Sequence, residues 1–365
     1  GKFNVFIFNI FIFFDTSISK EIFKIIMKKH ALIIGSGVAS TAYISVLDFN
    51  KIKTSVIGSP YDLKEIKNFK KNKKIKLFNL KLSSNIKFFF DNETQFINKK
   101  TINLIIIGTN TKGIDWAINI LNKLQIDCPI LLITKGIVKK NNKLIPISKY
   151  IKTKCPNDRI VMAAGPCLAK ELINRSHTRT LFASKKISNA RYIKNILENE
   201  YYHPDVTQDI NGAEICAAIK NIYATIIGSS FGQVGNLSKK KEDNYFNTSS
   251  GLFEQSLKEM RYITQKFKGK IDTAQGLAGA GDLYVSVLGG RNAKLGFYLG
   301  RGYLYKSIIK NQMKNVTVEG AELIKSSGTK ILSLVGQKKL PLLKCLLKAI
   351  NGNRRLKIDW KQFTF

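Results

Sequence analysis

Residues 30–41 read His-Ala-Leu-Ile-Ile-Gly-Ser-Gly-Val-Ala-Ser-Thr, and this stretch decides the fold. The apolar run Ala31–Ile34 is typical of a parallel strand that is buried on both faces. Gly35 and Gly37 follow it, and glycines here allow a tight turn that brings a pyrophosphate to the amino end of the next helix. The stretch therefore predicts the first strand, turn and helix of a dinucleotide-binding domain. An ordinary tight turn is the alternative, because Ser40 stands in place of the third glycine of the usual pattern.

Strands and helices alternate through the rest of the first half. Further strands are predicted at Thr54–Ile57, Ile86–Phe90, Leu104–Ile107, Ile130–Thr134 and Ile160–Ala163, with helices at Thr41–Asp48 and Ile114–Leu124. Such alternation predicts a Rossmann-type, doubly wound parallel sheet, whose crossovers are right-handed and whose ligand crevice lies at the carboxyl ends of the strands.

The pattern changes after about residue 208 and becomes mostly helical. Helical spacing is found at Gly212–Ile227, Leu252–Phe267, Ala293–Gly300, Val318–Ser326 and Pro341–Ile350. We therefore predict an NAD(P)-binding Rossmann domain over residues 27–208 and an α-helical substrate domain over residues 209–365. Because these helices carry few motifs, a homodimer is also expected.

Composition excludes several classes of protein. The chain has 365 residues, of which 44% are hydrophobic and 23% charged, values typical of globular domains. The formal net charge of +35 comes from lysines scattered along the whole chain, and the runs 70–76 and 239–241 fit solvated loops. No specific nucleic-acid binding is expected, although the positive field should attract anionic substrates and phosphorylated cofactors.

Residues 1–26 are interpreted as an amino-terminal extension. Val5–Phe14 is apolar but too short to span a bilayer, and no convincing cleavage site follows it. We favour Met27 as the natural start and expect no membrane association, with a membrane anchor as the less favoured alternative. Five widely spaced cysteines without a CxxC pair indicate a reducing, cytoplasmic setting, and three isolated histidines predict no metal site.

The end of the second strand bears on the choice of coenzyme. An acidic residue there binds the ribose of NAD, whereas a basic residue accommodates the 2′-phosphate of NADP. Ile57-Gly58-Ser59 offers neither. The missing carboxylate slightly favours NADP, with Lys64 as a candidate partner for the phosphate.

Four further segments carry chemistry, and with them the chain resembles the NAD(P)-dependent glycerol-3-phosphate dehydrogenase family. They are Thr134-Lys135-Gly136, the segment from Gly165 to Glu171, Ala218-Ile219-Lys220-Asn221, and the glycine-rich segment from Gly276 to Leu283 with Gly289-Gly290-Arg291-Asn292 beyond it. The resemblance runs in order from Lys28 to about Pro341. It implies reversible reduction of dihydroxyacetone phosphate to sn-glycerol 3-phosphate by NADPH or NADH, supplying phospholipid synthesis.

Lys220 is the predicted proton-transfer residue. Its neighbours on the helix, Ala217, Ala218, Ile219 and Ile222, are apolar, and burial lowers the pKa of a lysine because it disfavours the charged form. Such a lysine can exchange a proton near neutral pH. The alternative is a lysine that reaches the surface, which the family resemblance disfavours.

The resemblance also implies the substrate site. Asp282 is expected to orient or charge-balance Lys220, and Arg291 to hold the substrate phosphate through its planar fork, with Asn292 beside it. Lys135 is a second cation at the substrate. Ser286 and Gly165 match further substrate-contact positions.

The same resemblance assigns the cofactor contacts. The glycine turn contributes five of them, and the remainder lie later in the chain. They are Gly35, Ser36, Gly37, Val38, Ala39, Lys135, Ala169, Arg291 and Glu319. The chain departs from the family pattern at Ser40, at Ala39 in place of an aromatic residue, and at Cys167 in place of a small hydroxyl residue, which puts full cofactor affinity in doubt.

Two alternatives remain open. One is a related dehydrogenase of this architecture that acts on another hydroxy acid or sugar acid. The other is a catalytically silent nucleotide-binding or nucleic-acid-binding protein, which the joint presence of Lys220, Asp282 and Arg291 disfavours.

Overall fold

The computed structural model describes residues 29–140, 143–157, 159–237 and 246–363. The proposed amino-terminal extension with its apolar run, the Met27 start and the lysines at 239–241 lie outside the described residues. The strands are β1 (His30–Ile34), β2 (Lys53–Ile57), β3 (Lys74–Ile75), β4 (Leu80–Lys81), β5 (Ile86–Phe89), β6 (Ile102–Ile107), β7 (Ile130–Leu132), β8 (Ile137–Lys140), β9 (Lys143–Pro146), β10 (Ile160–Ala164), β11 (Thr178–Ala183) and β12 (Tyr202–Thr207).

The helices divide between the two halves of the chain. Those of the first half are α1 (Val38–Phe49), α2 (Leu63–Asn72), α3 (Ile114–Leu124), α4 (Ile147–Lys152), α5 (Ala169–Ile173) and α6 (Ile187–Leu197). Those of the second half are α7 (Ile210–Leu237), α8 (Phe246–Lys266), α9 (Ile271–Gln275), α10 (Asp282–Val287), α11 (Arg291–Gly300), α12 (Tyr305–Asn311), α13 (Glu319–Leu323), α14 (Thr329–Val335) and α15 (Pro341–Ile350).

Eight strands form the main sheet in the order β12-β11-β10-β7-β6-β1-β2-β5. All neighbouring strands run parallel except β10 and β11, which pair antiparallel, so that β11 and β12 run against the other six. The Rossmann-type fold is confirmed, and the sheet is mixed at one end instead of wholly parallel. Strands β11 and β12 were not predicted from the sequence, because their alternating polar residues lack the continuous apolar run of the central strands.

Side-chain alternation along the central strands builds the core on both faces of the sheet. Ala31 and Ile33 point to one face, and Leu32 and Ile34 to the other, and all four are fully buried. The second face belongs to a cluster that also contains the apolar side chains of α7. The sheet and the helical half therefore share one continuous core, which fixes α7 against the sheet.

The polar stretch from Lys64 to Lys76 is helical over most of its length. The solvated loop expected at 70–76 is therefore wrong in part, because Lys70 and Lys71 lie in the last turn of α2. Only Ile66 and Phe69 on this helix are buried, which explains the weak sequence periodicity. The described helices include none with the length and apolarity needed to cross a bilayer.

Two short π-helical turns interrupt the helical half. One spans Leu277–Gly281 and leads directly into Asp282 at the start of α10, and the other spans Ile324–Gly328 between α13 and α14. The helix predicted over Val318–Ser326 is thus divided between α13 and a π turn. Turns of this kind are frequent at functional sites, and the first one ends at a predicted site residue.

Candidate active site

Three glycines mark the carboxyl edge of the sheet. Gly35, Gly58 and Gly108 follow β1, β2 and β6, whose last residues lie side by side in the sheet register. Gly35 has a φ of +100°, and a Cβ there would lie 3.1 Å from the Gly108 carbonyl carbon. Glycine is therefore required at this position for both its backbone conformation and the close approach.

The amino end of α1 is open. Gly37 caps the helix without a side-chain hydrogen bond, and Gly37, Val38 and Ala39 are exposed. Beside it, the hydroxyl oxygens of Ser36 and Thr109 are buried and have no hydrogen-bond partner among the described atoms. Free backbone N–H groups and unpaired hydroxyls fit the phosphates and ribose of a dinucleotide.

Ser40 replaces the third glycine and adds a contact. It is buried, and its hydroxyl donates to the Gly108 carbonyl over 3.1 Å. A Cβ on Gly108 would lie 2.1 Å from the Ser40 hydroxyl oxygen, so the glycine after β6 makes room for the serine. This departure from the family pattern therefore joins α1 to β6 at the cofactor edge.

A cavity of about 50 Å³ brings several predicted residues together. It is lined in part by Ala39 from the glycine turn, Lys135 after β7, and Gly165, Cys167 and Ala169 after β10. Burial raises the pKa of the Cys167 thiol to about 11, although the nearby Lys135 lowers it. Cys167 is thus a protonated thiol at the wall of this cavity.

Lys135, Lys220, Asp282 and Ser286 form a second group, which we term the lysine–aspartate cluster. Lys135 Nζ donates to Asp282 Oδ2 over 2.7 Å, and Lys220 Nζ donates to Asp282 Oδ1. Lys220 Nζ also donates to the Ser286 hydroxyl over 2.9 Å, and this hydroxyl donates to the Asp282 carbonyl over 2.7 Å. The structure therefore joins four predicted site residues from three parts of the chain.

The electrostatics of the cluster favour proton exchange at Lys220. Burial and the positive charge of Lys135 lower the pKa of Lys220 to about 8, against the opposing effect of Asp282. Burial also lowers the pKa of Lys135, but its interaction with Asp282 outweighs this and leaves it raised. Two ammonium groups on one carboxylate leave a net positive charge, which suits an anionic substrate or a polarised carbonyl oxygen.

Arg291 and Asn292 begin α11 and contact the start of α13. The Arg291 guanidinium pairs with the Glu319 carboxylate, and both side chains are about half exposed. Asn292 Oδ1 accepts a hydrogen bond from the Gly320 N–H over 2.9 Å. A Cβ on Gly320 would lie 2.5 Å from the Asn221 carbonyl oxygen, so this pair adjoins α7 beside Lys220. Arg291 thus pairs with Glu319 and not with the lysine–aspartate cluster.

A carboxylate that sequence analysis did not consider lies beyond the end of β2. Asp62 Oδ2 accepts hydrogen bonds from the Ser59 N–H over 2.9 Å and from its hydroxyl over 2.7 Å. Asp62 lies five positions beyond Ile57, the last residue of β2, and a search limited to the strand end misses it. Lys64 is exposed on α2.

A buried acid on α7, the helix that carries Lys220, was not predicted from the sequence. Glu214 lies on α7 and accepts hydrogen bonds from the N–H of Ser148, over 2.8 Å, and from its hydroxyl. Burial raises the pKa of Glu214 to about 7, although both bonds from Ser148 lower it. A single acid in the apolar segment before Lys220 is the signal that marks it. In the described part of the chain, His, Cys, Asp and Glu form no group of three or more that could hold a metal ion.

The combination of this sheet edge with a buried, acid-held lysine defines a dinucleotide-dependent dehydrogenase with a Rossmann domain and a helical domain. The chain belongs to the NAD-dependent glycerol-3-phosphate dehydrogenase family. Residues 30–190 match the amino-terminal domain of this family and residues 209–359 match its carboxy-terminal domain. The resemblance inferred from the sequence is therefore confirmed, and the chain is an oxidoreductase that uses NAD or NADP.

Individual relatives agree with this assignment. The chain is 27% identical over 272 residues to an NADP(+)-dependent glycerol-3-phosphate dehydrogenase of Archaeoglobus fulgidus, covering 74% of this chain and 79% of the relative. It is 28% identical over 302 residues to a glycerol-3-phosphate dehydrogenase [NAD(P)+] of Francisella tularensis subsp. novicida, covering 80% and 85%.

Solved structures share the fold. The glycerol-3-phosphate dehydrogenase of Plasmodium falciparum superposes with a TM-score of 0.80 at 18% identity, over 94% of this chain and 98% of that one. The enzyme from Coxiella burnetii gives a TM-score of 0.74 at 22% identity, over 89% and 95%. The two-domain architecture predicted from the sequence is therefore that of solved members of this family.

Proposed function

We propose that the protein reversibly reduces dihydroxyacetone phosphate to sn-glycerol 3-phosphate with NADPH or NADH, and that Lys220 exchanges the proton. The observation that carries this proposal is the arrangement of donors on Lys220. An ammonium has three N–H donors, and Asp282 and Ser286 take two of them. In the described part of the chain no further acceptor is found for this ammonium, and we propose that its remaining donor binds the oxygen of a substrate carbonyl.

The chain's own residues supply the following chemistry. The bound dinucleotide supplies the hydride, and the open end of α1 with Ser36 and Thr109 holds its polar groups. Lys220 donates its proton to the carbonyl oxygen during reduction and removes the hydroxyl proton in the reverse direction. Asp282 fixes the ammonium and balances its charge, while Lys135 polarises the carbonyl or neutralises phosphate charge.

Arg291 and Asn292 are proposed to bind the substrate phosphate at the amino end of α11. A guanidinium binds phosphate with the same paired N–H groups that it offers a carboxylate. When the substrate binds, the Arg291 guanidinium therefore leaves the Glu319 carboxylate and pairs with the phosphate. Glu319 then becomes available to the cofactor. Gly165 and Ala169 are proposed to bring their backbone close to substrate and cofactor at the cavity beside Lys135.

Substrate comparison tests the proposal. We expect oxidation of NADPH or NADH with dihydroxyacetone phosphate, and little with unphosphorylated dihydroxyacetone, small 2-keto acids or keto-sugar acids. Equal rates with a keto acid would favour the rival dehydrogenase, and no turnover with any of these substrates would favour a silent nucleotide-binding protein.

NADPH is the proposed preferred coenzyme. Lys64 is exposed near the end of β2, and the Archaeoglobus fulgidus relative is named for NADP(+). Asp62 opposes this preference because a carboxylate repels a 2′-phosphate. A comparison of kcat/KM for NADPH and NADH in the native protein and in Lys64→Ala decides the question, since a loss confined to NADPH supports the role of Lys64.

The working enzyme is proposed to be a cytoplasmic homodimer that supplies glycerol phosphate to phospholipid synthesis. Support for self-association comes from large apolar side chains exposed in the helical half, including Tyr284 and Leu288, which are 60% and 68% exposed. Light scattering measures the mass in solution, and labelling with an antibody in cells shows the location. A monomer at micromolar concentration would remove the dimer from this proposal.

A further inference from the structure

The buried carboxylate of Glu214 is part of a closed chain of contacts that includes both lysines of the cluster. Glu214 holds Ser148 in the first turn of α4 through the Ser148 N–H and hydroxyl. Both partners are buried, with Glu214 only 2% exposed and Ser148 7% exposed. This contact joins the catalytic helix α7 to the sheet domain.

From α4 the chain of contacts continues to Lys135. Ile147 precedes Ser148, and its Cδ1 lies 3.6 Å from the position that a Cβ on Gly136 would occupy. Gly136 has a φ of +147° and directly follows Lys135. The Lys135 carbonyl is held in addition by the Thr111 hydroxyl over 3.2 Å. Ile137, directly after Gly136, pairs with Pro146, directly before Ile147, in the antiparallel β8–β9 hairpin. The backbone beside Lys135 and the start of α4 therefore belong to one hairpin.

The chain of contacts closes at Asp282. Lys135 and Lys220 donate to different oxygens of its carboxylate, and Lys220 lies six residues beyond Glu214 on α7. Six residues correspond to about 9 Å along a helix axis. Two polar contacts that start six residues apart on α7, one from Glu214 and one from Lys220 through Asp282, thus connect this helix to the segment from Lys135 to Ser148, which we term the Lys135 branch.

We propose that Glu214 is a positioning residue for the reaction, which sets Lys135 relative to Lys220 through Ser148 and the Gly136 turn. It does not touch the reacting atoms. The inference rests on the proposed function, because it assumes that Lys135 acts on the substrate. A displacement of about 1 Å in a catalytic group lowers turnover by up to about a hundredfold. Burying the Glu214 carboxylate costs free energy. The positioning role explains why the acid is kept in spite of this cost, because its hydrogen bonds hold Ser148 in one position.

The test is a double-mutant cycle on kcat for dihydroxyacetone phosphate reduction. Glu214→Gln keeps the shape of the side chain but loses the charge and one acceptor. We expect it to lower kcat about tenfold, while the Kd for NADPH changes less than about twofold. In a Lys135→Ala background the same substitution should change kcat less than about twofold, because the group that Glu214 positions has been removed.

Glu259 offers a matched control. It is also a fully buried carboxylate, and it accepts hydrogen bonds from the Leu342 and Leu343 N–H groups at the start of α15, away from the Lys135 branch. Any effect of Glu259→Gln on kcat should be the same with and without Lys135. The thermal unfolding temperature of each variant is also measured. A lower kcat at an unchanged unfolding temperature then indicates a misplaced catalytic group and not a loss of the fold.

Ser148→Ala provides a milder second variant if Glu214→Gln does not fold. It removes one donor and leaves the N–H contact, and its effect on kcat should likewise disappear in the Lys135→Ala background. Equal fold losses of kcat in both backgrounds would overturn the positioning role. Full activity of Lys220→Ala would instead refute the proposed function, so the two failures are distinguishable.

Discussion

Replacing Lys135 with Met should raise the pKa of Lys220 and move the pH profile of the reaction. Methionine keeps most of the length of the side chain and removes the charge. Reduction requires protonated Lys220, so kcat/KM for dihydroxyacetone phosphate should fall as pH rises through the lysine pKa. In the native protein this pKa is about 8, lowered by burial and then by Lys135.

The size of the shift follows from the geometry of the cluster. Two nitrogens bonded to the two oxygens of one carboxylate lie about 5 Å apart. Their repulsion is about 0.8 kcal/mol at the dielectric constant of water and about 3.3 kcal/mol at an effective value of about 20. These energies correspond to about 0.6 and about 2.4 pKa units. The midpoint in Lys135→Met is therefore expected between about 8.6 and about 10.4.

The assay measures initial rates of NADPH oxidation between about pH 6 and about pH 11, because kcat/KM reports the pKa of the free enzyme. The reverse reaction requires neutral Lys220, so its rate should rise through the same midpoint. Lys154→Met is a suitable control, since it removes a lysine that pairs with Asp115 on the sheet domain. An unchanged midpoint in Lys135→Met, or a midpoint that falls, would refute the coupling between the two lysines.

Three further predictions concern other parts of the molecule. Burial lowers the pKa of His30 to about 4, against about 6.5 when unfolded, so the unfolded chain binds more protons at this residue between these values, and the contribution of His30 to the free energy of unfolding should fall by about 3 kcal/mol as pH falls through this window. Denaturant titrations of the native protein and His30→Gln check this, and parallel curves would contradict it. Ser36→Ala should raise the Kd for NADPH roughly threefold to tenfold, because the bound coenzyme loses one hydrogen bond; fluorescence titration measures it, and an unchanged Kd would remove Ser36 from the cofactor site. Gly320→Ala should weaken activity on dihydroxyacetone phosphate, because a Cβ 2.5 Å from the Asn221 carbonyl pushes α13 away from α7; steady-state kinetics should show a higher KM, and native KM and kcat would refute the tight contact.

The central strands could be predicted from the sequence because local physics decides them, whereas the prediction for Lys220 also needed the resemblance to the family. The run Ala31–Ile34 is apolar on both faces, and the helix Ile114–Leu124 has bounds that agree with its amphipathic pattern. Lys220 lies among apolar neighbours, and the structure places it in a buried position. For the strand and the helix, the polarity of the neighbouring residues in the sequence already matches the environment that these residues have in the fold.

Other features could not be predicted because they depend on contacts between distant segments. The pairing of β10 with β11 reverses the sheet, although neither strand encodes its partner locally. The bond between Glu214 and Ser148 joins residues 66 positions apart. The ion pair of Arg291 with Glu319 likewise follows from the packing of α11 against α13 and not from either motif.

The role of Lys220 is tested most directly by measuring dihydroxyacetone phosphate reduction by Lys220→Ala under saturating NADPH. We expect kcat to fall by about a hundredfold or more, the scale for losing acid–base catalysis, while NADPH binding is retained. We also expect partial recovery of turnover when a small primary amine is added, because the amine replaces the lost proton donor. A variant that keeps native kcat across the pH range would contradict the assignment of Lys220 as the proton-transfer residue.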